Sequence, residues 1–492
     1  MRKALLLTLL VLAGCVSAPA YQAAPVAMPA AYRETDASLA AGVSTFPAGT
    51  KVVSNEPVQF DTQFWNQLGD TTLTRLMNEA LRANLDIRAA QARVRGSRAA
   101  RTRATWDLAP EGFVSASYNR RRFASAAFPG ATGTFPDENI WDAGFDAAWE
   151  LDLFGRLRHN VQAQGAFLAV SQEDLRGVLV GLSAELARAY FELRGAQEQL
   201  DVAERNAENQ RRTLDVTKER LDAGRGTAFD TERALAQLSV TLASIPVREA
   251  QVAAASYRIG VLVGRSPTEV AAELAPNTGR PALPDSVAIG SPDSVTRNRP
   301  DVAAAERFAA AQAALVGSAN AEYLPRLAIG GSVGYTAAET SALGDDGSLR
   351  YAVGPVISWP LLNLGRIRAN ANVARAREDA ARAEYGQVVL AAIEEVESAL
   401  ARFRAARSQV EQLEAASGAS ERAADLARMR FSEGITDFLQ VLDAERTQLA
   451  SQDQLALGRT EAATAYAALY KALGGRSIWR SEERRVGKEC RS

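Results

Sequence analysis

From Trp141 onward the chain alternates. Trp141, Ala143, Phe145, Ala147, Trp149, Leu151 and Leu153 take one parity, and Asp142, Gly144, Asp146, Ala148, Glu150 and Asp152 the other. A period of two predicts a strand with one apolar and one polar face. The pattern returns as Tyr351, Val353, Ile357, Trp359 and Leu361 against Arg350, Ala352, Gly354 and Ser358, giving strands over about 141–153 and 350–362. Two earlier alternations, about 113–121 and 327–337, carry Tyr118 and Tyr335 near their ends. Half-buried strands of a soluble sheet share this pattern. So do outer-membrane barrel strands, with apolar-out, polar-in dyads and aromatic ends.

After each strand pair the period changes. No proline occurs between Arg156 and Leu221, and apolar residues recur at every seventh position. One column holds Leu179, Leu186, Leu193, Leu200, Ala207, Leu214 and Leu221; another holds Val161, Leu168, Leu175, Leu182, Ala189, Ala196 and Ala203. A sustained seven-residue repeat predicts a coiled-coil helix, and its alanines admit a close neighbour. At ~1.5 Å per residue, a helix over 156–223 would be about 100 Å long, too long for a compact domain. Gly224 and Gly226 permit a reversal, and a return helix over about 229–263 carries Leu235, Leu238 and Leu242. The same plan recurs as a helix over about 366–431, a turn at Gly434 and a return over about 437–473. Helices over about 70–108 and 299–322 precede the strands.

These recurrences are a duplication. Trp149, Gly155, Arg156 and Arg158 return as Trp359, Gly365, Arg366 and Arg368, and Arg220 with Gly224 returns as Arg430 with Gly434. Gly264 matches Gly474, so all these pairs are offset by 210 residues. Upstream, Asn84-Leu85-Asp86 and Pro110 correspond to Arg299-Pro300-Asp301 and Pro325 with an offset of 215. One repeat therefore spans 57–264 and the other 298–475, joined by a proline-punctuated linker over 265–297.

The expected fold is mainly α with a β-barrel part. Four strands cannot close a transmembrane barrel, which needs at least about eight, so copies of the chain must supply the rest. Two copies would give a narrow, side-chain-filled interior; three give about twelve strands and room for water. The expectation is a homotrimer of quasi-sixfold character, with the long helices continuing the barrel as a hollow cylinder. Asp142, Asp146, Glu150 and Asp152 would then face the lumen.

Composition removes other classes. The 492 residues carry 56 basic and 58 acidic side chains, a balance unlike that of a nucleic-acid binder. The single histidine, His159, and two cysteines at opposite ends leave no basis for a metal site or a disulfide scaffold. No catalytic triad, metal cluster or dinucleotide fingerprint is present, and Gly224-Arg225-Gly226 lacks the lysine of a phosphate loop. No enzyme activity and no cofactor are expected. The N-terminus has Arg2-Lys3, an apolar run over 4–13 and then Leu12-Ala13-Gly14-Cys15, which resembles a bacterial lipobox. Residues 1–14 read as a lipoprotein signal peptide, Cys15 as the acylated residue and 15–56 as a tether; Val16 lacks the acidic inner-membrane retention signal. At the other end, Arg480 to Ser492 reads as a translated sequencing adaptor and not native chain.

Phe64-Trp65, Gly69-Asp70, Leu81, Asn84-Leu85-Asp86, Ala90 and Arg93-Val94 stand in the first repeat. Arg299-Pro300-Asp301-Val302, Ala305-Glu306, Gly317 and Pro325 stand in the second, and Tyr470 to Gly475 closes it. In this order, over about 57–479, the chain resembles the TolC-like outer-membrane factor family, in its NodT/OprM lipoprotein branch. The resemblance implies a homotrimeric tunnel in the cell outer membrane, lipid-anchored. It would dock on a periplasmic membrane-fusion adaptor and an inner-membrane pump of the RND type to export drugs, toxic compounds or metals. The tips Arg220, Gly224, Arg430 and Gly434 resemble the family's adaptor-docking turns. The family closes its periplasmic end with acidic residues, and here Glu421, Asp425 and Arg428 share a helical face shortly before Gly434. Gly155 and Gly365 mark strand-to-helix junctions, and His159 is a packing or surface residue. The alternative is a periplasmic adaptor or structural coiled-coil lipoprotein, which the paired strands beside each long helix disfavour.

Overall fold

A computed structural model describes residues 63–130, 132–284 and 291–475, with Pro29, Tyr32, Arg33, Val287 and Ile289. Cys15, the export signal, most of the tether and residues 480–492 lie outside the described residues. The chain divides into two compact units, one of residues 93–172 and 304–386 and one of 26–92, 173–303 and 387–492.

The first unit holds a four-stranded antiparallel sheet in the order β1 (Glu111–Arg121), β2 (Glu138–Leu151), β3 (Arg326–Ala337), β4 (Leu349–Ser358). The register pairs Val114 with Phe145, Phe145 with Val333 and Val333 with Tyr351, so one apolar face runs across all four strands. That face is solvent-exposed in the single chain, with Val114 at 85%, Tyr351 at 78% and Val353 at 78%. The opposite face is polar. Arg350 of β4 reaches over β3 to Asp142 of β2 at 2.7 Å, and Thr336 of β3 donates to the same carboxylate at 2.6 Å. Glycine clears that path: a Cβ on Gly144 would lie 3.1 Å from the Arg350 guanidinium.

β2 begins and ends earlier than the alternation alone indicates, and β4 stops at Ser358, not 362. Pro360 and a short 3-10 turn, Leu361–Asn363, replace its expected end. Proline lacks the amide a ladder needs. The equivalent tryptophans of the two repeats, Trp149 and Trp359, anchor in the same way. Trp149 Nε1 donates to the Leu108 carbonyl at 2.9 Å and Trp359 Nε1 to the Tyr323 carbonyl at 3.1 Å.

The second unit is helical. The helices are α1 (Gln63–Asn66), α2 (Thr71–Ala83), α3 (Leu85–Trp106), α4 (Arg156–Asp222), α5 (Ala228–Val263), α6 (Pro267–Leu274), α7 (Pro292–Asn298), α8 (Pro300–Ala321), α9 (Leu364–Ser432) and α10 (Phe438–Ala472). α3, α4, α8 and α9 each have residues in both units. The expected helix over 70–108 is two helices, α2 and α3, broken at Asn84. There the Asn84 side-chain oxygen accepts from the amides of Asp86 and Ile87, at 2.8 and 3.1 Å, and so caps α3. The linker carries helices α6 and α7, each begun by a proline whose missing amide costs nothing in a first turn.

Phe64, Trp65, Phe403, Tyr466 and Tyr470 form an aromatic cluster in the core, with the Phe64 and Tyr466 rings 4.9 Å apart and nearly parallel. Tyr190 donates to Asp70 at 2.6 Å. Burial and that carboxylate push its hydroxyl up to about 12, so it stays protonated as a donor. Asp70 also caps α2 through the Leu73 amide. α4 and α10 approach closely: a side chain at Gly195 would strike Thr460. The linker straps onto α4, where Gln197 donates to the Leu274 carbonyl and Arg280 pairs with Glu198 at 2.6 Å.

Candidate functional site

The two helix reversals of the second unit bring together most of the candidate residues. α4 ends with Gly224 at φ +70, where Gly224 N bonds the Leu221 carbonyl and Arg225 N the Arg220 carbonyl. α9 ends with Gly434 at φ +74, through bonds from Gly434 N to Phe431 and from Ile435 N to Arg430. These are Schellman closures, and the left-handed backbone requires glycine at both. Each return helix is capped three residues beyond its glycine. Thr227 accepts from the Asp230 amide, and Asp437 from the Gln440 amide, both at 3.2 Å. Sequence reasoning passed over these caps, although Asp437-Phe438-Leu439-Gln440 is a capping-box pattern.

The two tip arginines differ. Arg220 lies over the Phe431 ring, 4.5 Å from its centroid, and donates to the Phe431 carbonyl. It therefore ties the end of α4 to the end of α9. Arg430 is exposed and makes no hydrogen bond or ion pair among the described residues.

Of the acidic candidates, Asp425 and Arg428 pair at 2.7 Å, with the Asp425 side chain 63% exposed. Glu421 is exposed and lies outside this network. Arg428 turns inward as well, donating to Glu445 at 3.1 Å and Gln448 at 2.6 Å on α10. Glu445 also accepts from Thr213 of α4 at 2.7 Å, and its side chain is 4% exposed. Thr213, Glu445 and Arg428 thus link three helices next to the reversals. Glu445 carried no signal of its own in the sequence, being one glutamate in a long helix. Beneath it, Leu214, Leu238, Phe431, Phe438, Val441 and Leu442 form a separate apolar cluster.

At the strand-to-helix junctions the two glycines are not equivalent. Gly155 is left-handed at φ +82, whereas Gly365 is already within α9. The 3-10 turn before Gly365 carries the chain into the helix without a left-handed residue. The Asp152 side chain is 7% exposed and accepts from the amides of Leu157 and Arg158, so it caps α4. Asp142 and Glu150 are neutralised by Arg350 and Arg156. His159 packs on α8, where a Cβ at Gly317 would come within 2.9 Å of its ring. Among the described residues no cluster of metal-ligating side chains occurs, and no helix is long and apolar enough to cross a membrane.

The profile of the outer membrane efflux protein family matches residues 76–265 and 292–475. Outer membrane protein OprJ of Pseudomonas aeruginosa is 31% identical over 481 residues, which cover 96% of this chain and 95% of that protein. The probable outer membrane lipoprotein SilC of Salmonella typhimurium is 28% identical, with 91% and 93% covered. Among solved structures, the outer-membrane channel OprN superposes with a TM-score of 0.83 at 37% identity, covering 94% of this chain and 99% of that one.

Proposed function

The chain belongs to the outer membrane efflux protein family, and from that premise we propose that three copies assemble into a homotrimeric export duct. It is an outer-membrane channel subunit of an efflux system, with a helical tunnel on the periplasmic side. The observation that carries the trimer is the four-stranded sheet. β1 and β4 have unpaired outer edges among the described residues, and one continuous apolar face is exposed. In water such an edge and face are liabilities; twelve strands from three copies close the edges and turn the apolar face to lipid.

In this reading Cys15 carries the lipid anchor, and the Gly224 and Gly434 reversals meet a periplasmic membrane-fusion adaptor coupled to an inner-membrane pump of the RND type. Three copies of Asp425 ring the narrow end, where the exposed carboxylates attract cations. Pairs of these carboxylates with arginine across subunits hold the ring shut, and within each chain Arg428 draws Asp425 toward α10. Small molecules (drugs, toxic compounds or metals) pass through the lumen.

The test is the mass and conductance of the detergent-extracted protein. A heat-modifiable trimer from outer-membrane fractions that forms ion-conducting pores in planar bilayers is expected. A monomer, or a chain recovered from the inner membrane, overturns the reading.

A further inference from the structure

We infer that the assembly is sealed between copies by α5 of one chain against α9 of the next, with Arg430 reaching the Leu221 carbonyl of that neighbour. This rests on the ring assembly proposed above and assigns its seam to residues. Its basis is the offset of 210 residues between repeats, together with what α4 does inside one chain.

Within the chain, α4 of the first repeat packs on α10 of the second. Thr213 donates to Glu445, Asn206 donates to Gln452 at 2.8 Å, and Thr213, Asn206 and Glu445 are 7%, 3% and 3% exposed. Adding 210 to Thr213 and Asn206 gives Ala423 and Ala416, on α9; subtracting it from Glu445 and Gln452 gives Leu235 and Leu242, on α5. Positions buried in one repeat should be buried in the other, yet Ala416 and Ala423 are exposed in the single chain. Leu235 and Leu242 are 44% and 38% exposed. The missing cover is therefore the same surface of a second copy, and the seam is heterologous, so it repeats around a ring. Its chemistry is altered: hydrogen-bonded side chains within the chain become leucine against alanine between chains, which suits closely packed helices.

The tips carry the same relation. Arg220 occupies the Phe431 carbonyl and ring. Its counterpart Arg430 has no partner among the described residues, and the counterpart of Phe431 is Leu221. The Leu221 carbonyl accepts the Gly224 amide and keeps a second lone pair for an incoming guanidinium. Between chains Arg430 finds that carbonyl but no ring.

The experiment uses the full-length chain with Cys490→Ser. Leu235→Cys and Ala423→Cys are placed on separate chains of different size and co-expressed. Oxidation should yield a band containing both sizes, absent when either variant is expressed alone. A second arm transplants the intrachain pair. Leu235→Glu should reduce the trimer fraction at least tenfold, and Leu235→Glu with Ala423→Thr should restore it, because Lys218 stands where Arg428 stands in the other repeat. Trimers that form without the mixed crosslink, or that tolerate Leu235→Glu alone, overturn this seam and leave the export duct standing. A parent chain that never trimerises overturns the duct itself.

Discussion

Arg299 donates from Nη1 to the carbonyl of Ala472 at 2.7 Å, and that bond closes the end of α10. In the first repeat the same task falls to Asn84, whose side-chain amide donates to the carbonyl of Leu262 at 2.9 Å. Leu262 and Ala472 are 210 residues apart, so the two repeats satisfy one equivalent carbonyl with different side chains. The longer guanidinium has donors to spare, and Arg299 also bonds Asp301 at 2.8 Å and Glu395 at 2.6 Å. Burial opposes its charge, but those two carboxylates outweigh burial and hold its pKa above the ordinary arginine value.

Arg299→Ala strands the Ala472 carbonyl and removes two charged partners. The expected loss is about 2–3 kcal/mol, the scale for a buried hydrogen bond to a charged group. Asn84→Ala removes a carbonyl tie and a helix cap, for about 1–2 kcal/mol. Denaturant unfolding of the solubilised protein, followed by far-UV circular dichroism, should rank Arg299→Ala below Asn84→Ala and both below the parent. Equal midpoints for all three would refute the assignment.

Asp301 brings a pH dependence. Burial alone would raise its carboxyl, yet the Arg299 guanidinium lowers it below the usual aspartate range. A depressed carboxylate contributes stability above its unfolded pKa of about 3.9, and the contribution fades as pH falls through the lower folded value. The parent should therefore lose stability below about pH 4 more steeply than Asp301→Asn. Because the Asp301 side chain is 50% exposed, the difference at neutral pH should stay below about 1 kcal/mol. Melting temperatures of both proteins between pH 7 and 3 measure it.

The strands and the duplication were legible because both are periodic: a parity of two cannot be hidden by tertiary context, and a copied segment carries its own reference. The break between α2 and α3 was not, since it uses an asparagine cap with no glycine or proline. Nor was the aromatic cluster, because Phe64 and Tyr466 meet across most of the chain length and no local pattern links them. At the candidate site the glycines were legible from backbone chemistry alone. Glu445 was hidden, and only its counterpart, Leu235, marks the position as one where the repeats diverge.

The reversals can be tested through their backbone. Gly224 and Gly434 hold φ of +70 and +74, whereas proline is fixed near −65°. Gly224→Pro with Gly434→Pro should abolish export while heat-modifiable trimers persist, because the glycines themselves are barely packed: a Cβ at Gly434 would meet only the Arg220 guanidinium, at 3.7 Å. A Cβ at Gly224 meets nothing within 4 Å. Gly224→Ala should be milder, at about 1 kcal/mol of local strain. Export at the parental level in the proline variant, with trimers intact, would remove the tips from the docking role.

The proposed gate offers the sharpest contrast between two neighbouring residues. Arg428 holds exposed Asp425 and buried Glu445 at once, so removing it does two things. Asp425 loses its restraint, and Glu445 keeps only Thr213 as a charge-relieving partner. Leaving a buried carboxylate without its cation costs about 3 kcal/mol or more, and α9 should loosen from α10 beside the reversal. Asp425→Ala leaves the pair of Arg428 and Glu445 intact and removes only the exposed charge. Both variants should raise single-channel conductance in planar bilayers. Only Arg428→Ala should also speed amide exchange over residues 440–450, where α10 loses its anchor. An unchanged conductance in Asp425→Ala would detach Asp425 from the constriction. Unchanged exchange in Arg428→Ala would mean that Thr213 alone secures Glu445.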